Sequence, residues 1–423
     1  MSFSYFNKWL LNHLDIKNRL KSICIWYLIF LMLPTRKHTI EEAAKFSGLD
    51  KSQFSRWLKN HAGLAVYNLD ELSKKQAKQF YGLIDRSKKG VLPWTIFFLI
   101  DSTIHSRSTR HTDNAKRFNH GKGFVIGHQW TNVVLVINDK IIPLAPIAFY
   151  TKKYCRKHKL TYQTENDAVV NYIEKINLEK YLGPHHSNDV IVLADSGYDD
   201  KKIQQAIENK KWTYVIALKK NRCVRSEKSH ETMPMSRGWS QVESFFKNQR
   251  RVKWVTVWVP SSNPNKKRME FRLRQITAYL RYVGKVQLIC SEYKKRPKGR
   301  RKYLACNDLN ATPRQILMAY RVRWKIEIFH KEVKMFLGFQ EVASKHFDSI
   351  SAHVHWVYCA YILLQALPSP RDNPINTVAQ KQQYVRAIIA GKERTRIIQL
   401  LTQFNGVERY KIELRTAQEA IYT

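Results

Sequence analysis

The sequence predicts an α/β fold in which helices flank a mixed sheet, and two observations support this prediction. Residues 95–100 and 190–194 are continuous apolar runs, and an aspartate follows each of them, Asp101 and Asp195. Strands that are apolar on both faces belong inside a sheet that helices cover. Segments with helical periodicity follow these runs and can supply the covering layers.

The periodicity of the apolar residues also predicts the other elements. Helices are expected in residues 1–38, 165–182 and 313–337, and from residue 346 onwards. The segment from 213 to 306 is expected to be β-rich. Strand candidates lie at residues 124–126, 133–137, 141–149, 214–218, 252–259, 271–279 and 285–291.

Two short helices separated by a glycine turn are predicted in residues 39–60. Thr39 followed by Glu42 has capping-box spacing, Gly48 marks a helix end, and Asp50 can cap the second helix. The pair is either a helix-turn-helix, whose second helix enters the major groove of DNA, or a plain helical pair. The residues that would contact DNA in the first case are Lys51, Ser52, Ser55 and Arg56.

The net charge restricts the class of partner. Among 423 residues, 73 are Lys or Arg and 34 are Asp or Glu, so the formal charge is +39. This excess opposes compaction, and its commonest explanation is a polyanionic partner, because Lys and Arg displace counterions from phosphates. Nucleic acid is therefore expected, with an anionic membrane surface second. The basic segment 294–302, which includes Arg300 and Arg301, is either a phosphate contact or a solvated loop.

Cysteine spacing and hydropathy indicate a reducing compartment and no membrane span. The six cysteines show neither the spacing of a zinc site nor a disulfide framework. The apolar run 23–33 is too short to cross a bilayer and ends at Pro34. Basic residues precede it, as in a signal peptide, but no small-residue cleavage site follows. We therefore predict a buried helix there.

Asp101 and Asp195 are the first candidates for chemistry. If their strands are adjacent and parallel, both carboxylates emerge at one edge of the sheet. Two carboxylates held close together repel each other unless cations lie between them, and Mg²⁺ favours oxygen ligands. The alternative is that each aspartate only ends its strand and caps a turn.

A polar stripe on the helix predicted from residue 313 is the second candidate. At about 100° per residue, one face of this helix collects one carboxylate and several phosphate-type donors. A solvent-facing stripe with an ion pair between Glu327 and Lys331 is the alternative. The residues of the stripe are Tyr320, Arg323, Glu327, Lys331 and Lys334.

The spacing Tyr320-x2-Arg323-x3-Glu327-x6-Lys334 resembles the Y-x2-R-x3-E-x6-K signature of bacterial insertion-sequence transposases of the DDE class, which have an RNase H-like catalytic domain. The segments Asp101-Ser102-Thr103 and Leu193-Ala194-Asp195-Ser196-Gly197-Tyr198 are similar to those around that family's first and second aspartates. The resemblance covers about residues 90–345. Residues 196–326 leave room for the β-rich insertion that the family often carries.

The resemblance implies a reaction and its participants. Asp101, Asp195 and Glu327 would hold two Mg²⁺ or Mn²⁺ ions for cleavage of DNA at transposon ends and joining of the 3′ ends to target DNA, with cut-and-paste expected. The partners would be double-stranded DNA and a second copy in the synaptic complex, in the cytoplasm of a bacterium at the nucleoid. The residues that would contact phosphates and the distorted DNA end are Tyr320, Arg323 and Lys334, with Lys331 beside them.

The implied organisation has five regions. They are residues 1–88, helical and DNA-binding; 89–212, the first part of the catalytic domain; 213–306, the insertion; 307–345, the second part with the Glu327 helix; and 346–423, a helical region for possible dimerisation. Some relatives form a DNA hairpin, which requires an aromatic to stack a flipped base. No motif selects among the candidates Trp239, Trp254 and Trp258 for that role.

Two other functions stay open at this point. One is a DNA-binding relative without catalysis, and the other is an RNase H-like nuclease that acts on RNA. Among nearby polar residues, His128 could face the site. Asp199 and Asp200 are expected to start a helix, and Asp308 to make a turn.

Overall fold

The structure, a computed structural model, describes residues 1–84, 92–108, 111–120, 123–249, 251–260, 268–294, 301–370 and 375–403. The contacts within the chain divide it into two units. The first unit comprises Met1–Gln76, Ile104–His128 and His330–Thr423, and the second comprises Ala77–Thr103 and Gln129–Phe329.

The described elements are numbered in chain order. The helices are α1 (Phe3–His13), α2 (Lys21–Leu31), α3 (Ile40–Ser47), α4 (Lys51–Asn60), α5 (Ala62–Gly82), α6 (Lys152–His158), α7 (Glu165–Lys175), α8 (Glu179–Leu182), α9 (Lys201–Asn209), α10 (Glu227–Thr232), α11 (Val242–Asn248), α12 (Pro313–Val322), α13 (Trp324–Phe336), α14 (Phe347–Ala366) and α15 (Val378–Gln403). The strands are β1 (Ile96–Ser106), β2 (Lys116–His120), β3 (Gly123–Ile137), β4 (Lys140–Pro143), β5 (Ile147–Ala148), β6 (Val190–Ala194), β7 (Thr213–Leu218), β8 (Cys223–Ser226), β9 (Ser240–Gln241), β10 (Val255–Pro260), β11 (Arg268–Leu280), β12 (Gly284–Tyr293) and β13 (Lys302–Cys306).

The first unit is mainly helical. The apolar run of α2 is buried from Cys24 to Leu31 apart from Trp26, which confirms the buried helix predicted there. α14 is buried along most of its length and packs against α2, α4 and α15. Within the described part of the chain, no helix has both the length and the apolar character to span a membrane.

The predicted pair of short helices is present in the first unit. The Thr39 hydroxyl accepts a hydrogen bond from the Glu42 N–H at 3.2 Å, and Gly48 ends α3 in the left-handed region with φ of 70°. Asp50 caps α4 through the Ser52 N–H at 2.7 Å. The apolar face of α4 is buried, whereas Lys51 and its other polar residues are exposed. These caps set the turn between the helices, as the sequence predicts.

The second unit is built on a mixed sheet, which confirms the predicted fold class. The strand order is β3-β1-β6-β7-β13-β12-β11-β8-β9, with β10 beside β11 and with β4 and β5 beside β3. β6 pairs with β1 and β7 in parallel, and β13, β12 and β11 continue the sheet in antiparallel fashion. All five residues of β6 are buried, as expected of a central strand under helices.

Two expectations about strands and helices were wrong in detail. β1 does not end at Asp101 but continues to Ser106, because it remains next to β3 after its pairing with β6 ends at Ile100. The helix predicted at residues 165–182 is two helices, α7 and α8, separated by Ile176, whose backbone is extended.

The helix predicted at residues 313–337 is also divided. Around Arg323 the backbone hydrogen bonds join residues that are three apart in sequence instead of four. The Arg323 N–H donates to the Tyr320 carbonyl, and the Arg323 carbonyl accepts from the Ile326 N–H. These are three-residue steps, which tighten the backbone into a 3₁₀-like turn. The β-rich segment 213–306 also contains the helices α10 and α11, which are too short for a periodicity argument to detect.

Candidate active site

The second unit places Asp101 and Asp195 side by side at one edge of two parallel strands. The last paired residues of β1 and β6 are Ile100 and Ala194, and the two aspartates follow directly. Asp195 opens a tight turn in which its Oδ1 accepts the Gly197 N–H at 2.7 Å. A Cβ on Gly197 would lie 3.0 Å from that oxygen, so glycine leaves room for the carboxylate.

Burial and a neighbouring carboxylate both disfavour the charged form of Asp101. Burial and then the neighbouring Asp195 carboxylate raise the pKa of Asp101 to about 7, although the Arg323 guanidinium opposes the shift. A like charge close by disfavours ionisation of a carboxyl group. The pair therefore favours an additional cation.

Arg323 links Asp101 to the third predicted carboxylate. Its Nη1 lies 3.6 Å from Asp101 Oδ2, and its Nη2 donates a hydrogen bond to Glu327 Oε1. Glu327 lies in the first turn of α13, where the partial positive charge of a helix N-terminus favours a carboxylate. Arg323 is only 11% exposed, so this contact is screened less than a surface ion pair.

Tyr320 and Lys302 complete the described cluster. The Tyr320 ring is 8% exposed and lies 5.6 Å from Lys302 Nζ and 5.7 Å from the Arg323 guanidinium carbon. Burial, followed by repulsion from Arg323, lowers the pKa of Lys302, while Glu327 and Asp195 oppose the change. We did not select Lys302 from the sequence, where its only signal was its place at the end of the basic segment 294–302.

The donor chemistry of the three carboxylates fits a hard divalent cation. Carboxylate oxygens are the ligands that Mg²⁺ and Mn²⁺ prefer, and the Asp195 carboxylate is the second cause, after burial, of the raised pKa of Asp101. In residues 1–403, as far as they are described, no three His, Cys, Asp or Glu side chains form a ready metal site. The Arg323 guanidinium contacts two of the three carboxylates, Asp101 and Glu327.

The predicted DNA contacts of the first unit are on helix surfaces. Lys51 is exposed on α4 and lies 3.7 Å from Glu41, and Arg56 donates to the Ser52 hydroxyl at 3.1 Å. Lys331 and Lys334 lie on α13 after Glu327, in the part of that helix assigned to the first unit.

Arg301, a basic residue of the insertion, is packed against an aromatic ring. Arg301 Nε lies 3.1 Å from the buried Glu292 carboxylate, and its guanidinium is 5.6 Å from the Trp254 ring. Arg300 lies outside the described residues. Of the other tryptophans considered, Trp258 is 50% exposed, and Trp239 donates its N–H to the Met235 carbonyl.

Other nearby polar residues have structural contacts. Asp199 is buried, lies 3.4 Å from the Arg222 guanidinium and accepts the Lys219 N–H. Asp200 caps α9, as expected, and Asp308 makes its turn by accepting the Asn310 N–H. His128 belongs to the first unit, where its Nε2 lies 2.8 Å from the Asp113 carbonyl oxygen.

Comparison with known proteins identifies the family of the chain. A comparison with curated proteins finds no match. The family model described as Transposase DDE domain matches residues 95–363, which contain Asp101, Asp195 and Glu327. Members of this family are metal-dependent transposases with an RNase H-like fold. Because the match covers well over half of the sequence, the chain belongs to the transposase DDE domain family.

Proposed function

We propose that this transposase cleaves DNA at the ends of its element and joins the 3′ ends to target DNA, by a cut-and-paste route. The observation that carries the proposal is the cluster at the edge of β1 and β6. Asp101 and Asp195 follow the last paired residues, and Arg323 contacts both Asp101 and Glu327. Three carboxylates distant in sequence are thereby connected in one place.

Each residue of the cluster has a role that its chemistry supports. Asp101, Asp195 and Glu327 would hold two Mg²⁺ or Mn²⁺ ions, which when bound activate water or a 3′-hydroxyl and stabilise the leaving oxygen. Arg323 can bind a phosphate through two parallel hydrogen bonds when its contacts with Asp101 and Glu327 are released. Lys302, beside the Tyr320 ring, offers a second cation to the DNA backbone.

The proposed partner is double-stranded DNA, bound over a broad surface. The formal charge of +39 supports it, as does the exposed polar face of α4 with Lys51 and Arg56. Lys334, Lys331, Arg300 and Arg301 are proposed as further phosphate contacts. The proposal includes five regions along the chain, a DNA-binding region, two catalytic parts separated by an insertion, and a C-terminal helical region. They are residues 1–88, 89–212, 213–306, 307–345 and 346–423. A homodimer would hold two ends together.

Strand cleavage tests the proposal. DNA that carries the element's own ends is incubated with the purified protein and Mg²⁺, beside Asp101→Ala and Glu327→Ala. Cleavage by the unmodified protein alone is expected, with DNA binding retained by all three. Binding without cleavage by every protein would indicate the inactive DNA-binding relative. Preferential cutting of an RNA–DNA hybrid would indicate an RNase H-like nuclease.

A further inference from the structure

Side-chain hydrogen bonds join the first turn of α7 to the segment that follows Asp195. Three consecutive residues of α7 form side-chain hydrogen bonds with every second residue of that segment. Both sides of this contact belong to the second unit. The pairs are Glu165 Oε1 with the Tyr198 hydroxyl at 2.8 Å, Asn166 Nδ2 with Asp200 Oδ2 at 3.1 Å, and Asp167 Oδ1 with Lys202 Nζ at 2.9 Å.

Glu165 is itself held from the other side by β3. Its Oε2 accepts from Gln129 Nε2 at 2.6 Å, and its Oε1 also accepts from the Thr131 hydroxyl at 3.0 Å. Both carboxylate oxygens therefore accept hydrogen bonds, and these bonds hold the side chain in one orientation. A side chain with this many partners is a fixed point from which another residue can be oriented.

Tyr198 connects Glu165 to the edge of the sheet where Asp101 and Asp195 lie. It is the last residue of the tight turn that Asp195 opens, its N–H binds the Asp195 carbonyl at 3.2 Å, and it is 3% exposed. Burial, followed by the Glu165 and Asp101 carboxylates, raises the pKa of Tyr198, while the Ser102 hydroxyl opposes the shift. The Glu165 and Asp101 carboxylates therefore both interact electrostatically with the Tyr198 phenol.

We propose that Glu165 and Tyr198 are positioning residues for the metal-binding carboxylates, and this inference rests on the proposed function. The contact fixes the turn after β6 and so fixes the direction of the Asp195 carboxylate relative to Asp101. Partners behind a metal ligand orient it, and their loss costs roughly 10–100-fold in metal affinity or activity. Glu165 and Tyr198 touch neither substrate nor ion in this role.

A matched control separates positioning from simple core stability. Tyr198→Phe keeps the buried ring and removes only the hydroxyl that binds Glu165. Tyr214→Phe removes an equivalent phenol, which donates to Glu208 at 3.3 Å and belongs to the same apolar core as Tyr198. Both variants lose one phenol–carboxylate bond, so they should be destabilised alike in urea unfolding.

The test measures Mn²⁺ binding to the complex of the full chain with its end DNA, by the electron paramagnetic resonance signal of free Mn²⁺. The Mg²⁺ dependence of cleavage is measured in parallel. For Tyr198→Phe we expect the metal concentration at half-saturation to rise about 10-fold or more. Tyr214→Phe should stay within about twofold of the unmodified protein. Glu165→Gln keeps an oxygen for Tyr198 and should lie closer to the unmodified protein than Glu165→Ala.

The possible outcomes distinguish this inference from the proposed function. If Tyr198→Phe and Tyr214→Phe have the same metal affinity, the positioning role is wrong, even when cleavage by the unmodified protein depends on Mg²⁺. If the unmodified protein neither binds Mn²⁺ nor cleaves its end DNA, and Asp195→Ala behaves identically, the proposed function itself fails.

Discussion

At the scale of single residues, Arg323 determines the charge balance of the site. Its guanidinium contacts Asp101 and Glu327 at the same time, and it lies next to the Tyr320 ring. A lysine cannot reproduce both contacts in the same geometry, because its charge is a single point. The identity of this residue should therefore matter beyond its charge.

We expect Arg323→Lys to slow end cleavage by about 10-fold or more, which corresponds to about 1.4 kcal/mol or more of transition-state stabilisation. The measurement is the single-turnover rate on end DNA. Arg321→Lys is the matched control: it is two residues away, and its guanidinium binds the Pro260 carbonyl at 2.9 Å. Equal rates for both variants would show that Arg323 contributes only charge.

The sequence allowed the carboxylates to be selected but not their surroundings. Asp101, Asp195 and Glu327 follow from apolar runs and a spaced signature, which are local in sequence. Glu165 and Lys302 become visible only through the fold, because helix α7 and strand β13 bring them to the site from distant parts of the chain. Nothing local in the sequence distinguishes Glu165 from any other carboxylate at a helix start.

At the scale of elements, the exposed face of α4 is the most specific proposed DNA contact. We expect the double variant Lys51→Ala and Arg56→Ala to bind end DNA more weakly and to lower the salt dependence of the logarithm of affinity by about two. Fluorescence anisotropy over a series of salt concentrations measures both quantities. Lys45→Ala on α3, which is 60% exposed, is the control. An unchanged slope in the double variant would favour the plain helical pair.

Strand packing gives a second prediction at this scale. A Cβ on Gly127 of β3 would overlap the His105 carbonyl oxygen and come within 3.1 Å of the Ser106 Cα, all within the first unit. Backbone cannot yield as a flexible side chain can, so Gly127→Ala should lower the free energy of unfolding by about 1–3 kcal/mol. Gly63→Ala, in helix α5 with nothing within 4 Å, should be neutral or stabilising. Urea unfolding that ranks the two variants in the opposite order would contradict this packing.

The elements also show where sequence periodicity stops being informative. Alternation and apolar runs identified the central strands β1, β6 and β7, because burial on both faces leaves a strong signal. The division at Arg323 and the short helices α10 and α11 left no such signal, since a single 3₁₀-like step or a helix of six or seven residues contains too few apolar positions.

At the scale of the whole molecule, buried histidines should make stability depend on pH. His105, His128, His353 and His355 are buried in the first unit. Burial lowers the pKa of His353 to about 4, and its Nε2 donates to the Gly338 carbonyl while Nδ1 accepts from Tyr27. Between pH 6.5 and 4 the His353 ring binds more protons in the unfolded chain than in the folded one. The stability that His353 contributes is therefore present above pH 6.5 and is lost as the pH falls towards 4.

His353 should contribute a slope of up to about 1.4 kcal/mol per pH unit in this range. Asp101 acts in the opposite direction, because its folded pKa of about 7 makes the folded state bind more protons. The measurement is therefore urea unfolding from pH 7.5 to 4.5 in an Asp101→Asn background, with and without His353→Gln. The variant with His353→Gln should show a shallower slope. Identical slopes would mean that His353 does not titrate on unfolding.

The central claim is that Asp101, Asp195 and Glu327 together hold the metal ions of the reaction. Substitution of each by cysteine tests it directly, because a thiolate is a poor ligand for Mg²⁺ and a better one for the softer Mn²⁺. We expect the three cysteine variants to lose cleavage of end DNA in Mg²⁺ and to recover part of it in Mn²⁺, while Asp308→Cys behaves as the unmodified protein in both metals. Cleavage in Mg²⁺ at the unmodified rate by any of the three variants would contradict the claim.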